Sequence, residues 1–335
     1  AKTVVLVGNH LALLALLYLL LWRVVAPAGP RRDGEDPAGF LALLTLPLLV
    51  LYALRFHPVV VTLNHGQINL AVTLLLALFW LGLRARRSAA LTALPLAGAI
   101  LLKTYPALFL PLLLVQRRWR TAAWTAGYTL AFTALSWAVL PRQAWRDWFG
   151  FVLPTGGYAN TPADALSPAM PWNQSLNGFV ARLLLHPAYA AAPNPTLARV
   201  LTWTLALILV AALVWLTLRL ARRRQTGHLD DEIALVLLTM FLVAPLSWEH
   251  HLVFVLPAAL LALVHVLDGP PAWRTVLPVG LAAGVLAWRL DFLFDIQTTD
   301  ARSLLVSLKF YAVVVLWTHF ALRLWRVGRD AKENA

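Results

Sequence analysis

Cysteine is absent from the 335 residues, which excludes disulfides, thiolate metal sites and a thiol nucleophile. Charge is scarce: Asp, Glu, Lys and Arg make up 13% of the chain, against 60% hydrophobic residues and a mean hydropathy of +0.72. No soluble domain of this size can hide so much apolar surface, so the chain is a polytopic membrane protein. Carboxylates are scarcer than cations, 15 against 28, for a net charge of +13. In a soluble protein that balance would suggest nucleic acid. Here the arginines fall in short clusters between apolar stretches, as orientation in a bilayer requires, and nucleic acid is not a partner. Neither a Gly-rich phosphate loop nor a repeat of fixed period is present.

What is there is apolar sequence. Nine stretches suit crossing about 30 Å of hydrocarbon, the shorter ones with tilts or breaks: 4–22, 38–54, 68–83, 121–140, 196–218, 233–246, 252–267, 275–290 and 304–322. Basic links follow five apolar segments, at Arg23, Arg31 and Arg32; Arg84, Arg86 and Arg87; Arg117, Arg118 and Arg120; Arg219 and Arg222 to Arg224; and Arg323, Arg326, Arg329 and Lys332. The positive-inside rule places these links and the C-terminus in the cytoplasm. Counting alternate crossings puts 55–67, 141–195, 247–251 and 291–303 outside. The same count leaves Ala1 outside, so at least one further span is expected upstream. A signal peptide fits poorly, because the first apolar run is too long and Arg23 lies on the wrong flank.

The stretch 88–115 has basic clusters at both ends, too short for two full crossings and wrongly flanked for one. A half-membrane hairpin fits, with Lys103-Thr104-Tyr105-Pro106 as its broken tip, since proline disfavours helix in the residue before it. The expected architecture is thus all-α: one transmembrane domain over 1–335, about nine spans plus the hairpin, with 141–195 as an extracytoplasmic loop. That loop carries Trp145, Trp148, Phe149, Tyr158 and Trp172, which suit either a membrane interface or stacking on sugar rings.

Four polar constellations lie on or next to the outer side. Pro245-Leu246-Ser247-Trp248-Glu249-His250-His251 puts a carboxylate and two imidazoles at the start of an apolar helix, costly unless hydrated or paired. Adjacent histidines point about 100° apart on a helix, which disfavours a shared metal ion. No spacing supports a triad built on Ser247. Asn64-His65-Gly66-Gln67-Ile68-Asn69 and Trp172-Asn173-Gln174-Ser175-Leu176-Asn177-Gly178 are amide-rich, suited to sugar hydroxyls or to helix capping. Arg182 can grip phosphate bidentately. Lys103, one of four lysines, needs an anionic partner at depth or snorkels to the surface.

Taken in order, "GQIN" opening a span, "LLKTYP" breaking one, "WNQSLNGF" in the long outer loop and "PLSWEHH" before a late span resemble the polyprenol-phosphate-mannose-dependent mannosyltransferases of glycosyltransferase family 87. The resemblance runs from about 64 to 256. It implies a GT-C fold in a bacterial plasma membrane, with no cofactor and no metal, and an active site facing outside. The implied reaction moves mannose from a polyprenyl-phosphate carrier to a glycolipid or glycan acceptor, with inversion at the anomeric carbon. On that reading Glu249, His250 and His251 are catalytic, with Glu249 a fallback base. Lys103, Arg182 and His250 hold the donor phosphate; Asn64, Gln67, Asn69, Asn173, Asn177 and Trp248 hold sugar. The family's catalytic aspartate lies in the first outer loop, whereas here no Asp or Glu precedes Asp33. A transporter or flippase of lipid-linked sugars is the alternative from another class, since broken helices also mark transporters; a histidine-based membrane acyltransferase is a third.

Overall fold

Inside hydrocarbon every backbone N–H and C=O must find its partner within the segment, and this chain answers with helices throughout. The computed structural model describes residues 2–20, 37–160, 167–185, 194–222, 227–268, 273–290 and 301–333. Asp164, Asp291, Asp295 and Asp300, and the arginines at 23, 31, 32, 223 and 224, lie outside them. The helices are α1 (Lys2–Tyr18), α2 (Pro37–Arg55), α3 (His57–Asn64), α4 (Asn69–Arg84), α5 (Ala89–Leu102), α6 (Phe109–Val115), α7 (Trp119–Val139), α8 (Arg142–Asp147), α9 (Leu176–Leu184), α10 (Pro195–Arg222), α11 (Leu229–Val243), α12 (Leu256–Asp268), α13 (Trp273–Ala287) and α14 (Leu308–Glu333). A 3-10 segment, Glu249–Val255, leads into α12.

Against the nine expected crossings, the described residues hold three helices that are long and apolar enough alone: Pro195–Arg222, Glu249–Leu267 and Leu304–Val327. A fourth is made by Leu46–Arg55 and His57–Asn64, bent by 43° at Phe56. Five further apolar helices have 17 residues or fewer, while α7 is 21 residues long and less apolar than the three above. Of the apolar window in α10 only 28% is buried inside the protein, and Trp203, Leu207 and Ile208 are exposed. Apolar side chains at that density on a bare helix face belong in lipid.

The centre of the bundle is α11, buried on all sides from Asp231 to Leu242. A helix that is apolar all round has to be internal. Its first turn carries Asp230, Asp231 and Glu232, favourable against the helix dipole. Each acid is tied to a different neighbour: Trp80 Nε1 donates to Asp230 at 2.7 Å, Arg323 Nε to Asp231 at 3.1 Å, and Gln116 Nε2 to Glu232 at 2.8 Å. These ties pin α11 to α4, to α14 and to the link after α6.

The stretch 88–115 folds back on itself with its break at Lys103, but its first arm is longer than a half-membrane hairpin needs. Helix α5 stops at Leu102, Lys103 is extended (φ −148°, ψ 131°), a 3-10 turn runs Tyr105–Leu108, and α6 returns. It lies antiparallel to α4, where a Cβ on Gly82 would meet Thr92 at 3.0 Å, so glycine sets the close approach. The 14 residues of α5 rise about 21 Å, so the tip reaches the far end of α4 instead of stopping halfway.

Both basic links beside this hairpin end their helices with paired carbonyl caps. Arg87 N–H reaches Gly82 O and Arg86 N–H reaches Leu83 O; Arg118 N–H reaches Leu113 O and Arg117 N–H reaches Leu114 O. That motif places its penultimate residue in the left-handed region, normally a glycine's place, yet Arg86 (φ 49°) and Arg117 (φ 57°) occupy it. A side chain there costs roughly 1–2 kcal/mol, of which glycine's extra chain entropy returns about half. Arg86→Gly combined with Arg117→Gly is therefore expected to raise the thermal midpoint of the detergent-solubilised protein; a fall of several degrees would show that the arginines are not strained.

Candidate functional site

The 3-10 segment Glu249–Val255 is buried along its whole length, and three parts of the chain fix its start. From α3, Thr62 Oγ1 lies 2.9 Å from His250 O, and from α4, Asn69 Nδ2 donates to the same carbonyl at 3.2 Å. From the long loop, Asn173 pairs with Trp248 as an isolated antiparallel bridge. Gln174 N–H donates to Ser247 O at 2.8 Å, and Asn173 Oδ1 accepts from Ser247 N–H at 3.0 Å.

The amide patch of the long loop thus faces inward. Asn173, Gln174 and Asn177 are at most 1% exposed. Asn173 Nδ2 donates to Pro168 O at 2.9 Å; Asn177 Nδ2 donates to Pro245 O at 2.8 Å and its Oδ1 accepts from Ala159 N–H at 3.0 Å. Gln174 reaches Val306 O at 2.7 Å and accepts from Phe310 N–H at 2.9 Å, tying the loop to the start of α14. Arg182 is buried behind them, donating to Ser307 Oγ, Met170 O and Asn173 O at 2.8–3.0 Å. Gly178 is required here, because a Cβ would sit 2.2 Å from Asn173 O. In this conformation these groups hold backbone. Asn69, fully buried, does the same.

The opening beside the segment is a cavity of about 550 Å³ lined by His57, Asn64, His65, Trp172, Trp248, Glu249, His250 and Arg289, with Val60 and Val61. Of the residues expected from sequence, Asn64, Trp248, Glu249 and His250 meet there. Gln67 is half-buried just beyond, its carbonyl held by Asn9 Nδ2 at 2.8 Å after the turn at Gly66 (φ 60°). His250 packs flat on His65 with ring centres 5.7 Å apart and edge-on to Trp248 at the same distance. His251 turns away, its ring 4.5 Å from that of His250. Its Nε2 is 3.3 Å from Lys103 Nζ and its Nδ1 is 3.2 Å from Leu246 O. The same Nδ1 is also 3.2 Å from Trp248 N–H, so Lys103, Leu246 and Trp248 together fix the ring. Lys103 therefore sits one ring behind the cavity, beside Tyr105, whose hydroxyl donates to Leu246 O at 3.2 Å.

Three residues that sequence reasoning missed complete the arrangement. Glu249 Oε1 is bound by Lys309 Nζ, from the first turn of α14, and by His57 Nδ1 at 3.0 Å. Lys309 is 1% exposed. A buried carboxylate and ammonium are tolerable only as a hydrogen-bonded pair. A lone lysine in an apolar span was the available signal for Lys309. His57 stood in the outer link 55–67 and Arg289 at the end of the expected span 275–290, and neither was singled out. Among the described residues no group of His, Asp and Glu is arranged to hold a metal ion.

The model of "Glycosyltransferase family 87" matches residues 1–245, ending just before Ser247. A "polyprenol-phosphate-mannose-dependent alpha-(1-2)-phosphatidylinositol mannoside mannosyltransferase" of Mycolicibacterium smegmatis is 31% identical over 252 residues, 73% of this chain and 52% of that protein. A "polyprenol-phosphate-mannose-dependent alpha-(1-2)-phosphatidylinositol pentamannoside mannosyltransferase" of Mycobacterium tuberculosis is 29% identical over 282 residues, 81% of this chain and 57% of that protein. The chain spans about half the length of these curated relatives. No solved structure matches. With the family model covering well over half of its residues, this helical membrane chain belongs to glycosyltransferase family 87.

Proposed function

We propose that the chain is a membrane glycosyltransferase that moves a hexose, mannose by analogy with its relatives, from a polyprenyl-phosphate carrier to a glycolipid acceptor on the extracytoplasmic face of a bacterial plasma membrane. The observation that carries this reading is the histidine-lined cavity with two tryptophans and Arg289, at the end of the bundle opposite its arginine links. Imidazole and guanidinium suit a leaving phosphate, and indole faces suit a sugar ring. In the reaction the anomeric C–O bond to phosphate breaks as the acceptor oxygen attacks, and that oxygen must lose its proton.

We assign the proton to His57. With its proton on Nδ1, 3.0 Å from Glu249 Oε1, the ring that lines the cavity has Nε2 as its basic atom. A carboxylate that orients imidazole in this way is the standard support for a general base. Glu249 then acts through His57 and is a positioning residue, kept charged by Lys309. His250 and Arg289 face the leaving phosphate, and Lys103 adds positive potential from behind His251. Trp172, Trp248 and Asn64 surround the sugar, while Asn69, Asn173, Asn177 and Arg182 hold the frame.

The direct test supplies labelled polyprenyl-phosphomannose and a phosphatidylinositol mannoside to the purified chain. Glycosylated lipid and released polyprenyl phosphate are expected; passage of the intact donor across vesicles without release would make the protein a carrier instead. His57→Gln is expected to lower kcat by roughly 10²–10⁴-fold with donor KM little changed. His250→Ala is expected to lower it by on the order of 10²-fold or more. Near-normal turnover in both variants would remove the assignment.

The ion pair has its own check in stability. Lys309→Met leaves a buried carboxylate without its ammonium and is expected to destabilise by about 3–5 kcal/mol. Adding Glu249→Gln is expected to restore most of that, measured as thermal midpoints. Independent, additive losses would mean the two groups do not depend on each other.

A further inference from the structure

The end of the bundle remote from the site carries a second feature. A polar basin of about 1060 Å³ is lined by Arg84, Arg86, Arg117, Arg118 and Arg222, with Asp230 and Glu232 as its carboxylates among the described residues and His228 beside them. Both carboxylates already have partners, Asp230 in Trp80 and Arg84 and Glu232 in Gln116. Five guanidiniums from three separate links thus converge on a space with a surplus of positive charge. Burial holds the Arg118 guanidinium below its ordinary pKa, with Glu232 opposing that shift and the like charge of Arg86 adding to it. The two strained positions, Arg86 and Arg117, both line this basin.

Arg84 also lines an apolar groove of about 900 Å³ that runs on from it between α4, α5 and α7. Leu75, Leu78, Leu91, Leu94, Pro95 and Phe132 form its walls, with Arg87 beside Arg84 at the charged end. Leu78, Leu91, Leu94 and Phe132 are 39–65% exposed, so the groove is open to the lipid side. From Arg84 to Leu75, nine residues of α4 rise about 14 Å, close to the depth of one leaflet of a hydrocarbon core about 30 Å thick. Cations at the mouth and a leaflet-deep apolar trough behind them match one kind of molecule.

We propose that this is a binding site for an anionic phospholipid, its phosphate in the arginine basin and an acyl chain along the α4–α5 groove. The site stands apart from the histidine-lined cavity, at the other end of α4 and α11, and does not rest on the transfer reaction. Arginine in place of glycine at two left-handed positions keeps two of the cations turned to the headgroup.

Native mass spectrometry of the detergent-solubilised chain tests the proposal, with phosphatidylglycerol and phosphatidylcholine of matched acyl chains. The anionic lipid is expected to bind at least about fivefold more tightly, the effect of one arginine near a lipid phosphate. Arg86→Gly with Arg117→Gly is expected to bring the two lipids near parity without lowering the thermal midpoint. Arg118→Gln, at an unstrained position, is expected to reduce the preference in the same direction. Gly98→Leu, which fills the inner end of the groove, is expected to weaken phosphatidylglycerol binding while leaving some preference for the anionic headgroup. Equal binding of the two lipids in the parent chain, or an undiminished preference in all the arginine variants, would overturn the site. Displacement of phosphatidylglycerol by millimolar inorganic phosphate alone would overturn it too, making the basin a soluble-anion site.

Discussion

The arrangement depends on a clamp of amide side chains that water cannot reach. Asn173, Gln174 and Asn177 hold the backbone of Pro245 and Ser247 on one side and that of Val306 and Phe310 on the other. Three segments far apart in sequence meet there: the irregular stretch Pro245–Ser247, the start of α9 and the entry into α14. Their carbonyls and N–H groups would otherwise be unpaired at the edge of an apolar core, at a cost of about 1–3 kcal/mol each. Carboxamides suit the task because each offers donors and an acceptor without charge. The clamp fixes where the 3-10 segment begins, and so where Glu249 and His250 point.

The Glu249 pair extends that frame. Lys309 follows Ser307 and precedes Phe310, so the residues that bring the lysine to the carboxylate are the ones Gln174 and Arg182 hold. His57, just beyond the bend that separates α2 from α3, closes the other side. The bend has a use: a straight helix through Phe56 would carry His57 along the α2 axis, away from Glu249. A buried charge in this position is a commitment to one geometry, because separating the partners leaves either of them uncompensated.

Much of this was legible in the residues. Helices, basic links and the break at Lys103 follow from apolar runs, arginine clusters and a proline, all local signals. Direction was not legible. Asn173, Asn177 and Arg182 were expected to face a ligand but hold backbone, since the chemistry that suits a sugar hydroxyl equally suits a carbonyl. Lys309 and His57 escaped notice because their shared partner lies 60 and 192 residues away in sequence, and pairing at that range leaves no pattern. Of the nine expected crossings, three are long unbroken apolar helices among the described residues, because hydropathy marks apolar length without marking where a helix bends or stops.

The two ends of α4 and α11 divide the labour of charge. At one end Glu249, His57 and Lys309 are drawn together around a small cavity that aromatic rings and Arg289 also line. At the other end the acids of α11 are consumed in pinning helices, so the surrounding arginines keep a net positive field. A bilayer rewards this asymmetry on the side where anionic headgroups gather. The buried carboxylates among the described residues, Asp231, Glu232 and Glu249, each sit at a joint between segments, and the arginines of the basin are left where lipid phosphate can meet them.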